Sequence, residues 1–320
     1  MMLIPYRFQP VHISRIDRCD HRFLITKEKD LKTLVSSIDE TGLINPPLLY
    51  RKKDKFIIVS GFRRVEALRS IGLDEIASRV IDEGVSRVDC IKIAVTDNLS
   101  RRTLNIIEQS RVCRMLLDVF DEERQLIRTS VSFGLPGSLR ELKRIGSICA
   151  MNSRIQDGLY HGFISLPVAL ELGKMEMDIA LAFTDLFRQI NTGINKQREI
   201  LGLVMEICAR DDLDIALFLS SNDIRDIVTD NNIDAPRKAG NVLSCLRKMR
   251  FPSIVSVQNN FDAALKQLKL GKGIHINPSK YFEKGDYTIT LTVKNQTDLA
   301  DRRKEIDKIL KNPELFNCTR

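Results

Sequence analysis

The sequence predicts an α+β protein with a small N-terminal α/β domain, an all-helical middle containing a helix-turn-helix, and a small C-terminal α/β unit. Three observations lead to this prediction. Short apolar runs alternate with helix-like segments at the start of the chain, whereas apolar residues keep helical spacing from residue 105 to about residue 250. A strand pattern with period-2 alternation then returns. We expect domains at 1–117, 118–255 and 256–320.

The N-terminal domain should begin with a helix and a strand pair. Residues 30–42 carry apolar side chains at helical spacing and end on a glycine, which favours a helix stop. The apolar runs at 47–50 and 56–60 flank a polar turn of hairpin length. They therefore indicate strand, turn and strand.

The second strand should continue through Gly61 into another helix. Residues 62–71 repeat apolar side chains at helical spacing before the next glycine. Further strands are expected at 76–81 and 89–95, because both runs are short and apolar. Together these elements make a small α/β domain.

The helical middle contains a candidate DNA-binding segment. Residues 121–130 predict one helix, 133–137 a turn, and 138–145 a second helix opened by a serine cap. The second helix would bury its apolar side chains and, like a recognition helix, present Arg140, Lys143 and Arg144 outward. A solvated basic helix is the alternative.

The last part should combine helices and strands. The pattern predicts a helix at 260–270, strands at 274–276 and 287–293, and a final helix at 298–310. This is a third, small α/β unit.

The composition of the chain restricts the functions that the protein can have. The 320 residues include 50 lysines and arginines against 42 acids, a net charge of +8 that favours a polyanionic partner. We expect a cytoplasmic protein with no membrane partner, because no apolar run has the length of a membrane span and the start lacks a signal-peptide pattern. The scattered cysteines and histidines predict neither a zinc site nor a disulfide framework. Five basic residues without an acid at 236–251 are either a polyanion surface or a solvated helix face.

The turn at Gly61 carries the most informative chemistry. Glycine permits close backbone approach, the next helix offers N–H groups, and Arg63 and Arg64 can make forked contacts to phosphate oxygens. Cations at a helix start oppose the helix dipole, and a bound anion would relieve this. Two exposed arginines on an ordinary first turn are the alternative.

Asp97 and Asn98 follow an apolar run and precede Arg101. If that run is a strand, a carboxylate and an amide lie at its end beside an arginine. Oxygen ligands of this kind suit Mg²⁺ held against a phosphate. A helix cap is the more common role of an Asp-Asn pair, and it remains the alternative.

Three ordered motifs resemble the ParB-type family of partition proteins. In that family they read G-x-I-x-P, G-E-R-R-x-R-A and E-N-L-Q-R. The matching segments here are Gly42-x-Ile44-x-Pro46, Gly61-Phe62-Arg63-Arg64-x-x-Ala67 and Asp97-Asn98-x-x-Arg101. The resemblance spans residues 10–120 and implies the ParB/sulfiredoxin-like fold for the N-terminal domain.

The resemblance also implies a nucleotide pocket. Gly61, Arg63 and Arg64 would hold the triphosphate of CTP. Asp97 and Asn98 would hold Mg²⁺, while Asn98 and Arg101 would contact the nucleotide. Three departures affect this pocket, because Phe62 replaces a glutamate, Glu66 replaces an arginine, and Asp97 is one methylene shorter than the family's glutamate. Nucleotide binding is expected, while weak CTPase activity stays undecided.

The family further implies partners. These are DNA, a second copy of the chain bound through the C-terminal unit, and a ParA-type ATPase, at the nucleoid. Four lysines could touch DNA non-specifically: Lys266, Lys269, Lys272 and Lys280. Simple surface lysines are the alternative.

The expected function is thus a CTP-gated dimeric DNA clamp in chromosome or plasmid segregation. The alternatives are a ParB-like nuclease or phosphotransferase using the same pocket, and a plain transcription regulator.

Overall fold

The structure is a computed structural model that describes residues 5–26, 30–100, 102–271, 273–278, 286–293 and 296–312. The chain divides into two compact units, Met1–Thr184 and Asp185–Arg320. The α+β fold class is confirmed, and the three-domain division stays a prediction.

The first unit contains a five-stranded mixed sheet. Its strands are β1 (Arg7–His12), β2 (Ile16–Asp17), β3 (Leu48–Lys52), β4 (Lys55–Ser60) and β5 (Glu75–Ile81), in the order β1-β5-β3-β4-β2. β3 pairs antiparallel with β4 and parallel with β5. β1 pairs antiparallel with β5, and β2 pairs parallel with β4. The predicted strands at 47–50, 56–60 and 76–81 are confirmed.

Helices cover both faces of this sheet. They are α1 (Lys32–Thr41), α2 (Phe62–Ser70) and α3 (Arg87–Leu99). Phe56 and Ile58 of β4 join one buried cluster with side chains of α2, while Ile57 and Val59 join another with side chains of α3. Alternate side chains of a strand point to opposite faces, so β4 is apolar throughout because both of its faces are buried. The helices predicted at 30–42 and 62–71 are confirmed.

The strand predicted at 89–95 is wrong, because this segment lies in helix α3. Residues 91–95 alternate apolar and polar side chains at their start, which imitates a strand. The helix begins after Ser86, whose hydroxyl accepts a hydrogen bond from the Asp89 N–H. Its buried side chains have helical spacing: Cys90, Ile91, Ala94 and Val95.

The rest of the first unit is helical, as predicted. Its helices are α4 (Ile106–Leu117), α5 (Glu123–Ser132), α6 (Leu139–Gly146), α7 (Ser153–Tyr160) and α8 (Leu166–Leu172), and α9 (Met177–Ile190) contains the boundary between the units. One buried cluster continues from the sheet through Leu116 of α4 to Leu142 of α6. The segments that hold the residues predicted for the nucleotide pocket and the segment predicted to bind DNA therefore share a hydrophobic core.

The second unit begins with helices and ends with a small α/β part. Its elements are α10 (Ile194–Asp211), α11 (Ile215–Leu219), α12 (Asn222–Thr229), α13 (Ala235–Arg250), α14 (Pro252–Leu268), β6 (Ile274–Pro278), β7 (Tyr287–Leu291) and α15 (Gln296–Leu310). β6 and β7 pair antiparallel, with Ile276 opposite Ile289. The helices and strands predicted after residue 256 are confirmed. None of the described helices is both long and apolar enough to cross a membrane.

Candidate functional site

The turn between β4 and α2 requires glycine. Gly61 has φ +97°, a left-handed conformation that side chains with a Cβ rarely adopt. A Cβ there would lie 3.0 Å from Arg64 Nε and 3.0 Å from Pro47 Cα. The chain therefore passes so close to its neighbours at this point that no larger residue fits without displacing them.

This turn forms one wall of a cleft of about 210 Å³. Five of the six residues predicted for the nucleotide pocket line it, namely Gly61, Arg63, Arg64, Asp97 and Asn98. Arg101, the sixth, lies outside the described residues. Two motifs that are more than thirty residues apart in the sequence thus meet at one cavity.

Arg64 serves the architecture of the turn as well as the cleft. Its side chain is buried, and its Nη1 donates hydrogen bonds to the carbonyl oxygens of Asn45, at 2.6 Å, and Pro46, at 3.2 Å. Its Nη2 lies 3.4 Å from Asp97 Oδ2. Because these contacts fix the guanidinium, Arg64 connects the segment before β3 to the last turn of α3.

Arg63 is less buried than Arg64. Its Nη2 donates a hydrogen bond of 3.0 Å to the carbonyl oxygen of Asp30. The side chain is half-buried on the cleft wall. Of this arginine pair, Arg63 is therefore the better placed to contact a bound anion.

Asp97 and Asn98 lie in the last turn of α3, so the expectation that they follow a strand is wrong. Asp97 Oδ2 accepts a short hydrogen bond from Ser60 Oγ as well as contacting Arg64. Asn98 donates from Nδ2 to the Ala94 carbonyl oxygen at 2.8 Å, which turns its Oδ1 toward Thr26 Oγ1 at 3.2 Å.

This donor set suits one kind of metal site. Mg²⁺ is commonly held by one or two carboxylates, with phosphate oxygens and waters completing the octahedron. The oxygens of Asp97 and Asn98 are of the kind that would hold a magnesium ion shared with a phosphate. They do not fit an all-protein cage, and in the described part of the chain no three His, Cys, Asp or Glu side chains converge on a metal site.

Two further cleft residues, Thr26 and Arg102, were not predicted from the sequence. Arg102 makes a forked ion pair with Glu108, at 2.6 Å from Nη1 to Oε2 and 2.5 Å from Nη2 to Oε1. Thr26 Oγ1 donates to Glu108 Oε1 at 2.6 Å. A signal for Glu108 was present, because Asn105 and Glu108 have the spacing of a capping box and form one at the start of α4.

Glu108 is 2% exposed and ionised. Burial alone would raise its pKa. The hydrogen bonds from Arg102, Thr26 and the Asn105 N–H outweigh burial, so the pKa lies below its usual value. The cleft therefore has a buried negative charge behind Arg102.

The predicted helix-turn-helix is present as α5, a turn at Gly134 and α6. Ser138 caps α6 by accepting a hydrogen bond of 3.3 Å from the Glu141 N–H. Leu142 and Ile145 are buried, while Arg140 and Lys143 are exposed. Arg144 is half-buried and pairs with Glu141 at 3.2 Å, so it is less available to DNA than the other two.

Much of the basic segment at 236–251 contacts protein groups. Arg247 and Arg250 pair with Glu199 and Glu206 of α10, at 2.5 and 2.7 Å. Lys238 Nζ donates to the Val228 carbonyl oxygen at 2.6 Å. These contacts favour a role in packing α13 within its unit.

Two of the four C-terminal lysines, Lys266 and Lys269, are exposed. Lys272 and Lys280 lie outside the described residues.

The N-terminal part of the chain is similar to known partition proteins. The family model of the ParB N-terminal domain matches residues 6–99. A probable chromosome-partitioning protein ParB of Campylobacter jejuni is 33% identical over 92 residues, covering 29% of this chain and 32% of its own length. A chromosome-partitioning protein ParB of Myxococcus xanthus is 28% identical over 193 residues, covering 57% of this chain and 63% of its own length.

Solved structures were matched as well. The C-terminally truncated chromosome-partitioning protein ParB from Caulobacter crescentus, complexed with CTP-gamma-S, is 20% identical, with a TM-score of 0.26 over 57% of this chain and 99% of that one.

The chain spans between 32% and 63% of the length of these two curated relatives. The matched region contains the sheet, the Gly61 turn and the Asp97-Asn98 pair. Residues 6–99 of this chain therefore match the family of the ParB N-terminal domain.

Proposed function

We propose that this protein is a dimeric DNA-binding partition protein of chromosomes or plasmids whose hold on DNA is gated by CTP. The observation that carries this proposal is the convergence of Gly61, Arg63, Arg64, Asp97 and Asn98 on one cleft. These residues come from separate family motifs. They supply the groups that a magnesium-bound triphosphate needs: a glycine turn at a helix start, arginines, and oxygen ligands.

The side chains of the cleft would have different roles in binding the nucleotide. Arg63, with the N–H groups that begin α2, would contact phosphate oxygens. Arg64 would hold the turn in place through its contacts with Asn45 and Pro46. Asp97 and Asn98 would hold Mg²⁺, which neutralises phosphate charge.

The presence of Phe62 in the cleft affects whether bound CTP can be hydrolysed. Its ring lies in the cleft wall at the position where the family has a glutamate. A phenyl ring can neither accept a proton nor orient an attacking water. The geometry therefore supports nucleotide binding without turnover more than it supports CTPase activity.

The DNA site in this proposal is α6. Arg140 and Lys143 project from the helix while Leu142 and Ile145 anchor it, the arrangement in which a recognition helix enters a major groove. Because α6 shares a buried cluster with α4 and the sheet, a change at the cleft can reach it through packed side chains.

The dimer site in this proposal is the C-terminal unit. Its buried cluster has only four core members among the described residues: Phe261, Ile274, Ile276 and Ile309. On β7, Ile289 and Leu291 remain 41% and 36% exposed, and Val293, two residues beyond the strand, is 40% exposed. A two-stranded sheet with a partly exposed apolar row would be stabilised by a partner, and a second copy offers the same row.

Equilibrium binding of labelled CTP, ATP and GTP with Mg²⁺, with and without DNA, tests the proposal. We expect CTP to bind and its affinity to change when DNA is present, because reciprocal effects are required if the two sites are linked. Failure of the chain to bind any of the three nucleotides contradicts it. Metal-dependent DNA cleavage that is lost in Asp97→Ala would instead assign the cleft to a nuclease.

A further inference from the structure

The turn between β3 and β4 concentrates positive charge at one end of the sheet. Residues 51–55, which we call the hairpin tip, read Arg-Lys-Lys-Asp-Lys, four cations against one acid. All of them except Arg51 are exposed. The tip lies at the opposite end of β4 from Gly61, and none of its side chains lines the nucleotide cleft. This charge is therefore separate from the cleft.

The lysines of the hairpin tip occupy positions that are locally unfavourable. Lys52 and Lys55 are directly opposite each other in the ladder between β3 and β4. Like charges at opposite positions of a strand pair destabilise the pair. Lys53, between them, has φ +57°, a left-handed conformation that glycine and asparagine adopt more readily in a hairpin turn. The fold alone would favour other residues at these positions.

Neighbouring acids do not neutralise the lysines of the tip. Among the residues that the structure describes, none of these three ammonium groups forms an ion pair with a carboxylate. Glu83 accepts a hydrogen bond from the backbone N–H of Lys53 instead, and Asp20 pairs with Arg22 at 2.6 Å. Elsewhere in the first unit, surface cations do find acids, as Arg114 does with Asp118 at 3.1 Å. The tip therefore keeps its positive charge.

Arg15 and Arg51 extend this charged surface, and both are positioned by Phe56. Their guanidinium carbons lie 5.1 and 5.7 Å from the centre of the Phe56 ring. An aromatic face attracts a guanidinium without using its N–H donors. Arg15 Nε donates to the Asp54 carbonyl oxygen at 3.2 Å. The guanidinium of Arg51 has no hydrogen-bond acceptor in the described part of the chain, so its terminal N–H groups are positioned and unused.

We propose that the hairpin tip and Arg15 form a second DNA-contacting surface, which binds phosphates of a duplex backbone without reading sequence. Cations that contact phosphates release the counterions of DNA, which favours binding to any sequence. A phosphate beside Lys52 and Lys55 would also relieve the repulsion between them. The inference rests on the DNA-binding part of the proposed function and adds a contact outside α6.

The surroundings of the tip favour a nucleic acid over a lipid surface. Segments that lie on membranes combine basic residues with exposed apolar side chains that enter the acyl boundary. The aromatic ring next to these cations, Phe56, is only 2% exposed. Charge without an accessible apolar face is the pattern of a surface that contacts phosphates.

Substitution at the tip can remove charge without harming the fold. Lys53→Gly with Lys55→Gln removes two cations, and glycine adopts the left-handed φ of this position readily. The midpoint of thermal unfolding should therefore not fall. Fluorescence anisotropy of the full chain on duplex DNA, across a salt series, measures binding. We expect weaker binding and a plot of log affinity against log salt that is shallower by about 0.9 for each lost phosphate contact. The loss should be similar on random and specific sequences.

A matched control removes two exposed lysines elsewhere. Lys174 and Lys196 lie outside the hairpin tip and outside α6. Lys174→Gln with Lys196→Gln makes the same change of net charge and should leave both the affinity and the salt slope close to those of the parent chain. CTP affinity should be unchanged in both double variants, because none of the substituted residues lines the cleft.

Four outcomes contradict the inference. A folded tip variant with parental affinity and salt slope overturns it and leaves the DNA site at α6 standing. Equal losses in the tip variant and the control overturn it as well, because they show an effect of net charge alone. A loss on single-stranded RNA but not on duplex DNA would assign the surface to RNA. A parent chain that binds no DNA overturns the proposed function together with this inference.

Discussion

At the residue scale, the three arginines of the cleft differ in what holds them. Arg64 is buried against backbone carbonyl oxygens, Arg102 is paired with a buried carboxylate, and Arg63 is half-buried and donates a hydrogen bond to the Asp30 carbonyl oxygen. Protein contacts therefore compete with ligand contacts to a different degree at each residue. This predicts different balances between stability and binding when each is removed.

The comparison of Arg63→Ala with Arg64→Ala tests that balance. Arg64→Ala removes the donors to Asn45 and Pro46, so we expect a loss of about 2–4 kcal/mol of unfolding free energy. Arg63→Ala should change stability by less than about 1 kcal/mol and weaken CTP binding by about tenfold or more. Urea unfolding and isothermal titration measure the two effects. Equal stability losses in both variants would contradict the distinction.

Gly72 provides a control for the substitution of Gly61 in the turn. Gly61 and Gly72 both have left-handed φ angles, +97° and +88°, but only at Gly61 would a Cβ meet neighbours within 4 Å. Gly72→Ala should cost about 1–2 kcal/mol from backbone strain alone and leave CTP binding intact. Gly61→Ala should cost more and abolish binding, since Arg64 and Pro47 must move. Thermal unfolding measures the change in stability, and CTP titration measures the change in affinity. A Gly61→Ala chain that binds CTP with the parental affinity would contradict this prediction.

Glu108 predicts a pH dependence of stability. Its pKa in the folded chain lies below the usual 4.5, so the folded state favours the ionised form. The resulting stabilisation is complete above the unfolded-state pKa and is lost as pH falls through the lower, folded-state pKa. Glu108→Gln should therefore be less stable than the parent at pH 7, and the difference should shrink below about pH 4.5. A difference that stays constant on acidification, measured by urea unfolding, would speak against this.

At the element scale, the sequence predicted the segments that have strong local signals. The strand pair before Gly61 has a continuous apolar run and a turn, and α6 has a serine cap and regular apolar spacing. The edge strand β1 was not predicted from the sequence. Among its residues only Val11 is buried, so the strand shows no alternation of apolar and polar side chains. α3 was misassigned because its β-branched residues resemble a strand, while tertiary packing stabilises the helix.

The same reasoning applies to the elements of the cleft. Gly61, Arg63, Asp97 and Asn98 were predictable because the motifs name them. Thr26 and Arg102 reach the cleft from irregular segments. Irregular segments have no periodicity from which the direction of a side chain follows, so only the folded chain reveals such neighbours.

The prediction for DNA binding concerns helix α6. Arg140→Glu with Lys143→Glu should weaken DNA binding strongly and flatten its salt dependence, because each lost phosphate contact also removes a released counterion. Arg144 stays in place, since its replacement would put a glutamate beside Glu141. Lys196→Glu with Arg198→Glu on exposed positions of α10 makes the same charge change as a control. CTP binding should survive in both.

Fluorescence anisotropy across a salt series measures the effect. If the α6 variant and the α10 control bind DNA alike at every salt concentration, the charge of α6 acts only through the net charge of +8. A base-reading contact at Arg140 would show as a loss of about 1–3 kcal/mol on a specific site and little on random DNA.

At the scale of the whole molecule, the small size of the C-terminal cluster is the reason to expect that its stability depends on a second copy of the chain. Its core has four buried members among the described residues, whereas the clusters of the first unit are much larger. Two short strands and two helices bury little apolar surface alone. A second copy would supply the missing burial, and two recognition helices would then act on paired half-sites.

Charge substitution on β7 tests this assembly. Ile289→Lys with Val293→Lys places two like charges on the row that a second copy would cover, so the chain should become monomeric and lose cooperative DNA binding. Leu217→Lys is the control, because Leu217 is 72% exposed on α11, outside residues 256–320, and its change should leave the dimer intact. Deletion from Gln258 onward should give the same monomer. Sedimentation velocity at micromolar concentration distinguishes the states. A monomeric parent chain would remove the dimer from the proposal, and a β7 variant that remains dimeric would locate the interface elsewhere.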